Sequence, residues 1–237
     1  MTSPFQGFDE VRIINLVDRQ DRRREITDQL NSVGGIASNI SFFDAQRPGS
    51  PGEFPSIGAR GCFESHFSIL REAGDRGSQT LLVLEDDLDF TRDGRLRMEP
   101  LLDELAGQDW SLFYGAHVMP MDGRQGLVRI ATDEPVMTTS FVAFRGKAIG
   151  ELVTFLEAMS KRQAGSPDWG PMHVDGAYTV FRRLNPQHST FAAFPSLGRQ
   201  RSSPSDVAES RMILDQWAGA RQIASLLRGG YNWMKRQ

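Results

Sequence analysis

Three consecutive carboxylates, Glu85, Asp86 and Asp87, directly follow the short apolar run from Leu81 to Leu84. The run is unbroken by polar residues and too short for a typical helix, so it predicts a buried parallel strand. Carboxylates crowded at a strand end repel one another unless a cation, protonation or full solvation relieves them. Mg²⁺ and Mn²⁺ prefer oxygen ligands and commonly join carboxylates to substrate phosphates. The pattern predicts Mn²⁺ or Mg²⁺ at Glu85 and Asp87; the alternative is a set of surface carboxylates that begin a loop.

A second group of polar residues follows the apolar run from Val11 to Leu16. Asn15 and Leu16 end this predicted strand, and Arg19 and Arg22 come next at helical spacing. Arginine can bind a phosphate with a forked pair of hydrogen bonds. These residues are therefore candidates to contact a nucleotide, although an arginine-rich first turn is also typical of a solvated helix face.

Three further positions have side chains that could serve a reaction. His66 lies beside the apolar stripe of a predicted helix, where it could bond a ribose, phosphate or sugar hydroxyl or be an ordinary core histidine. Asp175 begins another predicted helix and could be a general base or a helix cap. Gln200 lies in a Gly/Ser-rich segment that could close over a ligand and exclude water or be a plain linker.

The elements that must position these residues alternate between strand and helix. Ile26, Leu30 and Val33 mark the first helix, which Asp18 or Asp21 could cap. Such alternation predicts an α/β fold, with a mostly parallel central sheet flanked by helices and ligands bound beyond the carboxyl ends of the strands. The predicted strands are 11–16, 40–43, 81–84, 111–114, 138–144 and 191–194; the later helices are 63–74, 96–105, 148–159 and 175–184; loops cover 47–61 and 165–171.

Bulk composition narrows the classes of function. The chain has 237 residues, enough for one large α/β domain. Its formal net charge of −3 argues against a general nucleic-acid binder, which needs a clear excess of Lys and Arg. The single cysteine excludes an intramolecular disulfide and a zinc cluster built from cysteines, and it favours a reducing, cytoplasmic setting. No apolar run reaches about 18 residues, so membrane spanning and export are not expected.

The last part of the sequence differs from the rest. We expect a catalytic domain over residues 1–205 and a helical C-terminal extension over 206–237. After Asp215 the extension has no acidic residue and mixes apolar residues with Arg221, Arg228, Lys235 and Arg236. A basic amphipathic helix can lie on an anionic membrane surface, which would place the protein on the inner face of a membrane. Packing of this helix on the domain is the alternative.

In combination, these motifs resemble glycosyltransferase family 25, the lipopolysaccharide-type galactosyltransferases. The shared order is an Ile-Asn-Leu strand with an arginine-rich helix start, then Gly-Cys-x-x-Ser-His ending at Ser65 and His66, then Leu-Glu-Asp-Asp. The last of these matches the DxD signature of nucleotide-sugar transferases, with Glu in first place. Similarity continues in the segment TTSFVAFR (138–145), in His173-Val174-Asp175 against the family's Pro-Val-Asp, and in 194–206.

The resemblance implies a GT-A type nucleotide-sugar-binding fold, a UDP-sugar donor that is usually UDP-galactose, and transfer with inversion to a glycan or other hydroxyl acceptor. In the mechanism predicted from these residues, Asp175 is the candidate catalytic base, and Glu85 and Asp87 hold the metal. The implied donor-binding residues are Asn15, Leu16, Arg19, Arg22, Ser65, His66, Asp86 and Gln200. Two alternatives stay open: a metal-dependent phosphohydrolase, and a nucleotide-sugar-binding protein without turnover.

Overall fold

The computed structural model of the protein describes residues 3–201. A short 3₁₀ helix, Pro4–Gly7, precedes the first strand. The strands are β1 (Glu10–Asn15), β2 (Ile40–Asp44), β3 (Thr80–Glu85), β4 (Leu88–Phe90), β5 (Leu112–Val118), β6 (Gly126–Arg129), β7 (Met137–Arg145), β8 (Thr190–Phe194) and β9 (Gly198–Gln200). The helices are α1 (Gln20–Asn31), α2 (Ile57–Arg76), α3 (Arg92–Ala106), α4 (Lys147–Ser160) and α5 (Val174–Leu184).

Seven of these strands form one central sheet, in the order β2-β1-β3-β7-β5-β8-β6. β1 pairs in parallel with β2 and β3, and β5 pairs in parallel with β8. β7 and β6 are antiparallel to their neighbours, so five strands run in one direction and two in the other. β4 and β9 form a separate antiparallel pair. The predicted α/β class, with a mostly parallel sheet flanked by helices, is confirmed.

The strand before the acidic cluster is buried on both faces, as its unbroken apolar run predicts. Leu81 and Val83 pack into one hydrophobic cluster with side chains of α2, α4 and α5. Leu82 and Leu84 pack into the other, with side chains of α1 and α3. Alternate side chains of a strand point to opposite faces, so β3 needs apolar residues throughout when helices cover both sides.

Two local predictions are wrong. Arg19, and not an aspartate, is the N-cap of α1, and no side chain caps that helix; Asp18 and Asp21 instead form ion pairs with Arg47 and Arg19. The predicted loop 47–61 ends earlier, because α2 begins at Ile57. The hydroxyl of Ser56 accepts a hydrogen bond from the amide of Ala59 at 3.0 Å and caps this helix.

Some elements could not be found from periodicity. β4, β6 and β9 have three or four residues each, which is too few to show a repeat of two. The predicted extension 206–237, with its proposed membrane contact, lies outside the described residues. Among residues 3–201, none of the helices combines the length and apolar character that a membrane span requires.

Close packing between α3 and the turn after β8 depends on Gly94. A Cβ atom at this position would overlap the carbonyl oxygen of Leu197 and lie 2.6 Å from its carbonyl carbon. We expect Gly94→Ala to lower the free energy of unfolding by about 3 kcal/mol, since backbone cannot move aside as a flexible side chain can. Denaturant unfolding measures this change. The matched control is Gly150→Ala in α4, where a Cβ meets open space and stability should rise by roughly 0.5–1 kcal/mol. Equal stabilities for the two variants would contradict the predicted overlap.

Candidate functional site

The candidate site lies where the parallel strands β1 and β3 end side by side. Ile14 is in register with Glu85, and the amide of Asp86 donates to the carbonyl of Ile14 at 3.1 Å. The strand pairing therefore extends one residue beyond β3. It brings the end of β1 and the acidic cluster together at the carboxyl edge of the sheet, where α/β folds bind ligands.

Asp86 is fixed by residues from β1 and α1. The buried side chain of Asn15 donates to Asp86 Oδ2 at 2.7 Å. Arg22 Nη1 lies 3.2 Å from Asp86 Oδ1. Burial raises the pKa of the Asp86 carboxyl, and Asn15 and Arg22 offset only part of that effect. These contacts join three of the predicted site residues in one network.

Asp87 extends this network but keeps one oxygen without a hydrogen bond. Its Oδ2 accepts a hydrogen bond from Gln200 Nε2 at 3.1 Å and lies 3.7 Å from Arg22 Nη1. Its Oδ1 is buried and has no hydrogen-bond partner. Burial, followed by the negative charge of Glu85, raises the pKa of Asp87 to about 7. This site therefore favours a bound cation or proton at Asp87.

Glu85 is contacted by residues of β7 and α2. Its Oε1 accepts a hydrogen bond from the Thr139 hydroxyl at 2.6 Å and lies 3.5 Å from His66 Nε2. The other ring nitrogen of His66 is 3.0 Å from the hydroxyl of Tyr178. Burial acts to raise the pKa of Glu85, but the imidazole of His66 and the Thr139 hydroxyl outweigh it and hold that pKa below its usual value.

Asp175 is held at the start of α5 by two backbone amides. Its Oδ1 accepts from Gly176 at 2.7 Å and its Oδ2 from Thr138 at 3.3 Å. Thr138 has a φ of 69°, which is strained for a β-branched residue and is characteristic of functional sites. Burial raises the pKa of Asp175 and the charge of Glu85 adds to this rise, although the two amides act against it. Thr138, which binds Asp175, precedes Thr139, which binds Glu85, so Asp175 lies near the acidic cluster.

The remaining predicted residues lie in different surroundings. Ser65 is fully buried; its hydroxyl donates to the carbonyl of Gly61 at 2.7 Å and accepts from the amide of Gln46 at 2.8 Å, which ties the preceding loop to α2. Arg19 is half-exposed and pairs with Asp21 at 2.8 Å. Leu16 is half-buried, and its carbonyl accepts from the amide of Arg19 at 2.8 Å. The donor-binding roles of these residues stay predictions.

Sequence reasoning missed three residues that organise the site: Thr138, Thr139 and Tyr178. Both threonines lie near the start of β7, which pairs antiparallel with β3. The amide of Thr138 donates to Asp175, and the hydroxyl of Thr139 donates to Glu85. The segment 138–145 carries part of the family resemblance. That resemblance was the only signal available, because no spacing indicates that these threonines approach the acidic cluster.

Comparison with known proteins identifies several relatives by sequence. Over 128 residues, or 46% of this chain, it is 38% identical to procollagen galactosyltransferase 1 of Danio rerio and 35% identical to procollagen galactosyltransferase 2 of Mus musculus. Over the same length it is 31% identical to the inactive glycosyltransferase 25 family member 3 of Homo sapiens. The aligned parts are 21%, 20% and 22% of these relatives, so the chain spans about a fifth of their length. The resemblance to glycosyltransferase family 25 is confirmed.

Two further comparisons add little. No protein-family model matches the chain. The crystal structure of a glycosyltransferase involved in the glycosylation of the major capsid of PBCV-1 is similar over 85% of this chain and 98% of that one, with 12% identity and a TM-score of 0.48. That likeness is too distant to assign a function.

Proposed function

We propose that this chain, which is similar in sequence to family 25 proteins over about half its length, is a metal-dependent glycosyltransferase with a GT-A type fold. It moves a hexose, in the first instance galactose, from a UDP-sugar to the hydroxyl of a glycan or other acceptor. The observation that carries the proposal is the buried Oδ1 of Asp87, which has no hydrogen-bond partner. Consistent with this, the pKa of the Asp87 carboxyl is raised to about 7.

The chemistry of the cluster suits Mn²⁺ or Mg²⁺. Glu85 and Asp87 offer carboxylate oxygens, the ligands that these cations prefer. A cation would offset both the burial of the Asp87 charge and its repulsion by Glu85, which together raise the pKa of Asp87. When bound, the metal would neutralise the negative charge that develops on the departing diphosphate. Both residues stand at the carboxyl edge of the sheet, the usual place for a ligand in an α/β fold.

Arg22 would help to hold the diphosphate of the donor. Its guanidinium lies between Asp86 and Asp87, at 3.2 and 3.7 Å, so it is fixed in place before any ligand binds. A positioned cation of this kind costs little reorganisation when charge develops on a leaving group. Asn15 keeps Asp86 in position beside it, and Gln200 binds Asp87 from the strand β9.

Asp175 is the proposed base for the acceptor. In a single displacement, the acceptor oxygen forms a bond to the anomeric carbon while the bond from that carbon to the diphosphate oxygen breaks. The bonding electrons leave with the diphosphate, and the hydroxyl proton passes to the Asp175 carboxylate. Attack from the side opposite the leaving group inverts the anomeric configuration. The raised pKa of Asp175 makes its carboxylate a better proton acceptor than an ordinary aspartate.

The first test is calorimetric titration of the protein with UDP in the presence and absence of Mn²⁺, with ADP as the control nucleotide. We expect UDP to bind only with Mn²⁺ and more tightly than ADP. Incubation with UDP-galactose and a panel of glycans should then release UDP in an acceptor-dependent manner. Absence of UDP binding under both conditions would refute the UDP-sugar proposal.

The second part of that assay addresses turnover. The relatives include proteins named as inactive, so similarity of sequence does not decide whether this chain transfers sugar. Manganese-dependent UDP binding without UDP release from any UDP-sugar would favour a binding protein. Release of inorganic phosphate without an acceptor would favour a metal-dependent phosphohydrolase. Acceptor-dependent release of UDP would support the transferase.

A further inference from the structure

A thiol, an imidazole and a carboxylate lie close together beside the acidic cluster. One ligand atom from each of Cys62, His66 and Glu85 lies within 4.8 Å of the others. Cys62 and His66 are four residues apart in α2, so the helix presents both on one face. Glu85 reaches them from the end of β3.

His66 is the buried polar group that points to a ligand. Its side chain is fully buried, and its Nε2 faces Glu85 Oε1 at 3.5 Å but has no hydrogen-bond partner. An unsatisfied buried nitrogen is costly and calls for an explanation. The opposite nitrogen, Nδ1, is 3.0 Å from the hydroxyl of Tyr178. A metal-binding histidine is typically oriented by such a contact to its second nitrogen.

The distances suit a small tetrahedral cation. Zinc binds imidazole nitrogen and carboxylate oxygen at about 2.0–2.2 Å, which puts the two atoms about 3.4 Å apart at a tetrahedral angle. His66 Nε2 and Glu85 Oε1 are 3.5 Å apart. The Thr139 hydroxyl, at 2.6 Å from the same oxygen, supports the carboxylate from outside. The sulfur of Cys62 lies within 4.8 Å of both atoms.

We propose that Cys62 Sγ, His66 Nε2 and Glu85 Oε1 bind a zinc-class divalent cation. Sulfur and imidazole ligands select zinc or cobalt over manganese and magnesium, which prefer oxygen. Three protein ligands leave a fourth position for water.

Titration of the purified chain with Co²⁺, in the absence of nucleotide, tests this site directly. A thiolate bound to cobalt gives a charge-transfer absorption band in the near ultraviolet, and Cys62 is the only cysteine of the chain, so any such band reports on this residue. We expect the band to saturate at one cobalt per chain and to disappear when Zn²⁺ is added. Absence of the band in the folded wild-type protein would overturn the proposal.

Variants separate metal ligation from a general loss of structure. Cys62→Ala should abolish the band, and Tyr178→Phe, which keeps the buried ring, should weaken cobalt binding by about 10- to 100-fold. The control is His188→Gln, because His188 pairs with Glu151 and Ser111 outside the cluster and its loss should leave the titration unchanged. Equal affinities for wild type and Tyr178→Phe would overturn the assigned role of His66.

Glu85 belongs both to this zinc-class site and to the proposed Mn²⁺ site, so zinc should weaken manganese-dependent UDP binding. This consequence rests on the proposed function, whereas the zinc-class site does not. Calorimetric titration with UDP in Mn²⁺, with and without one equivalent of Zn²⁺, should show weaker binding in wild type and no change in Cys62→Ala. The same effect in both proteins would refute regulation through this site. Failure of UDP to bind at all would count against the transferase and leave the cobalt result intact.

Discussion

Replacement of Asp175 by Asn is expected to lower the rate of sugar transfer by about 10²- to 10⁴-fold. The carboxamide cannot take the proton of the acceptor hydroxyl, so the single displacement loses its base. Donor binding should not change, because the residues proposed to hold the diphosphate and the metal are elsewhere in the site. The expected signature is a fall in kcat together with an unchanged Kd for UDP in Mn²⁺.

The same substitution should alter stability only slightly, because two effects oppose each other. The carboxamide has one acceptor oxygen where the carboxylate has two, so it can keep only one of the bonds from Gly176 and Thr138. That loss costs roughly 1 kcal/mol. Burial, however, penalises the charged form of Asp175, and a neutral side chain escapes that penalty. The melting temperature should therefore stay within a few degrees of wild type.

The control for this experiment is Asp93→Asn. Asp93 also lies in the first turn of a helix, α3, and is largely exposed in an i,i+4 pair with Arg97, so its replacement should leave both turnover and donor binding unchanged. Turnover of Asp175→Asn within threefold of wild type would show that Asp175 only anchors α5 and Thr138.

The location of the site was predictable because it depends on parallel strand pairing. Asn15 lies near the end of one apolar run and Asp86 lies just after another, and the carboxyl ends of parallel strands meet at one edge of a sheet. Their contact at 2.7 Å follows from β1 and β3 being neighbours. The helices were predictable for a related reason, since an apolar stripe such as that of α2 must be buried against the sheet.

The contacts that Glu85 and Asp87 make with β7 and β9 were not predictable, because they join distant segments of the chain. Thr139 reaches Glu85 only because β7 pairs antiparallel with β3, and local sequence does not specify which strands become neighbours. Gln200 reaches Asp87 through the pairing of β9 with β4, two strands too short to be recognised. Ser65 shows the reverse case: its place in the family motif suggests a ligand contact, whereas its hydroxyl bonds to the backbone of Gly61 and Gln46.

The second large effect is expected at Asp87, where one substitution should increase stability and abolish donor binding. In the folded chain the pKa of Asp87 is about 7, above its ordinary value of 3.8. Between these values the folded state holds a proton that the unfolded state has lost, so the free energy of unfolding decreases as the pH rises toward 7. Asp87→Asn keeps a neutral side chain at every pH and removes this dependence.

Without divalent metals, the stability of Asp87→Asn relative to wild type should increase by about 3 kcal/mol between pH 5 and pH 8. Denaturant unfolding at both pH values, in the presence of a chelator, measures the difference. If the free energies of unfolding of wild type and variant change in parallel between pH 5 and pH 8, the ionisation of Asp87 does not destabilise the fold, and the prediction is wrong.

The same variant should lose manganese-dependent UDP binding by more than about 100-fold, since loss of even a residue behind a metal ligand typically costs about 10- to 100-fold in affinity. The control is Asp103→Asn, on the exposed side of α3, which should bind UDP as wild type does. A protein that is more stable yet cannot bind its donor has not simply misfolded. Tight UDP binding by Asp87→Asn would instead show that other carboxylates bind the metal, because a neutral amide cannot replace the charge that the proposal assigns to Asp87.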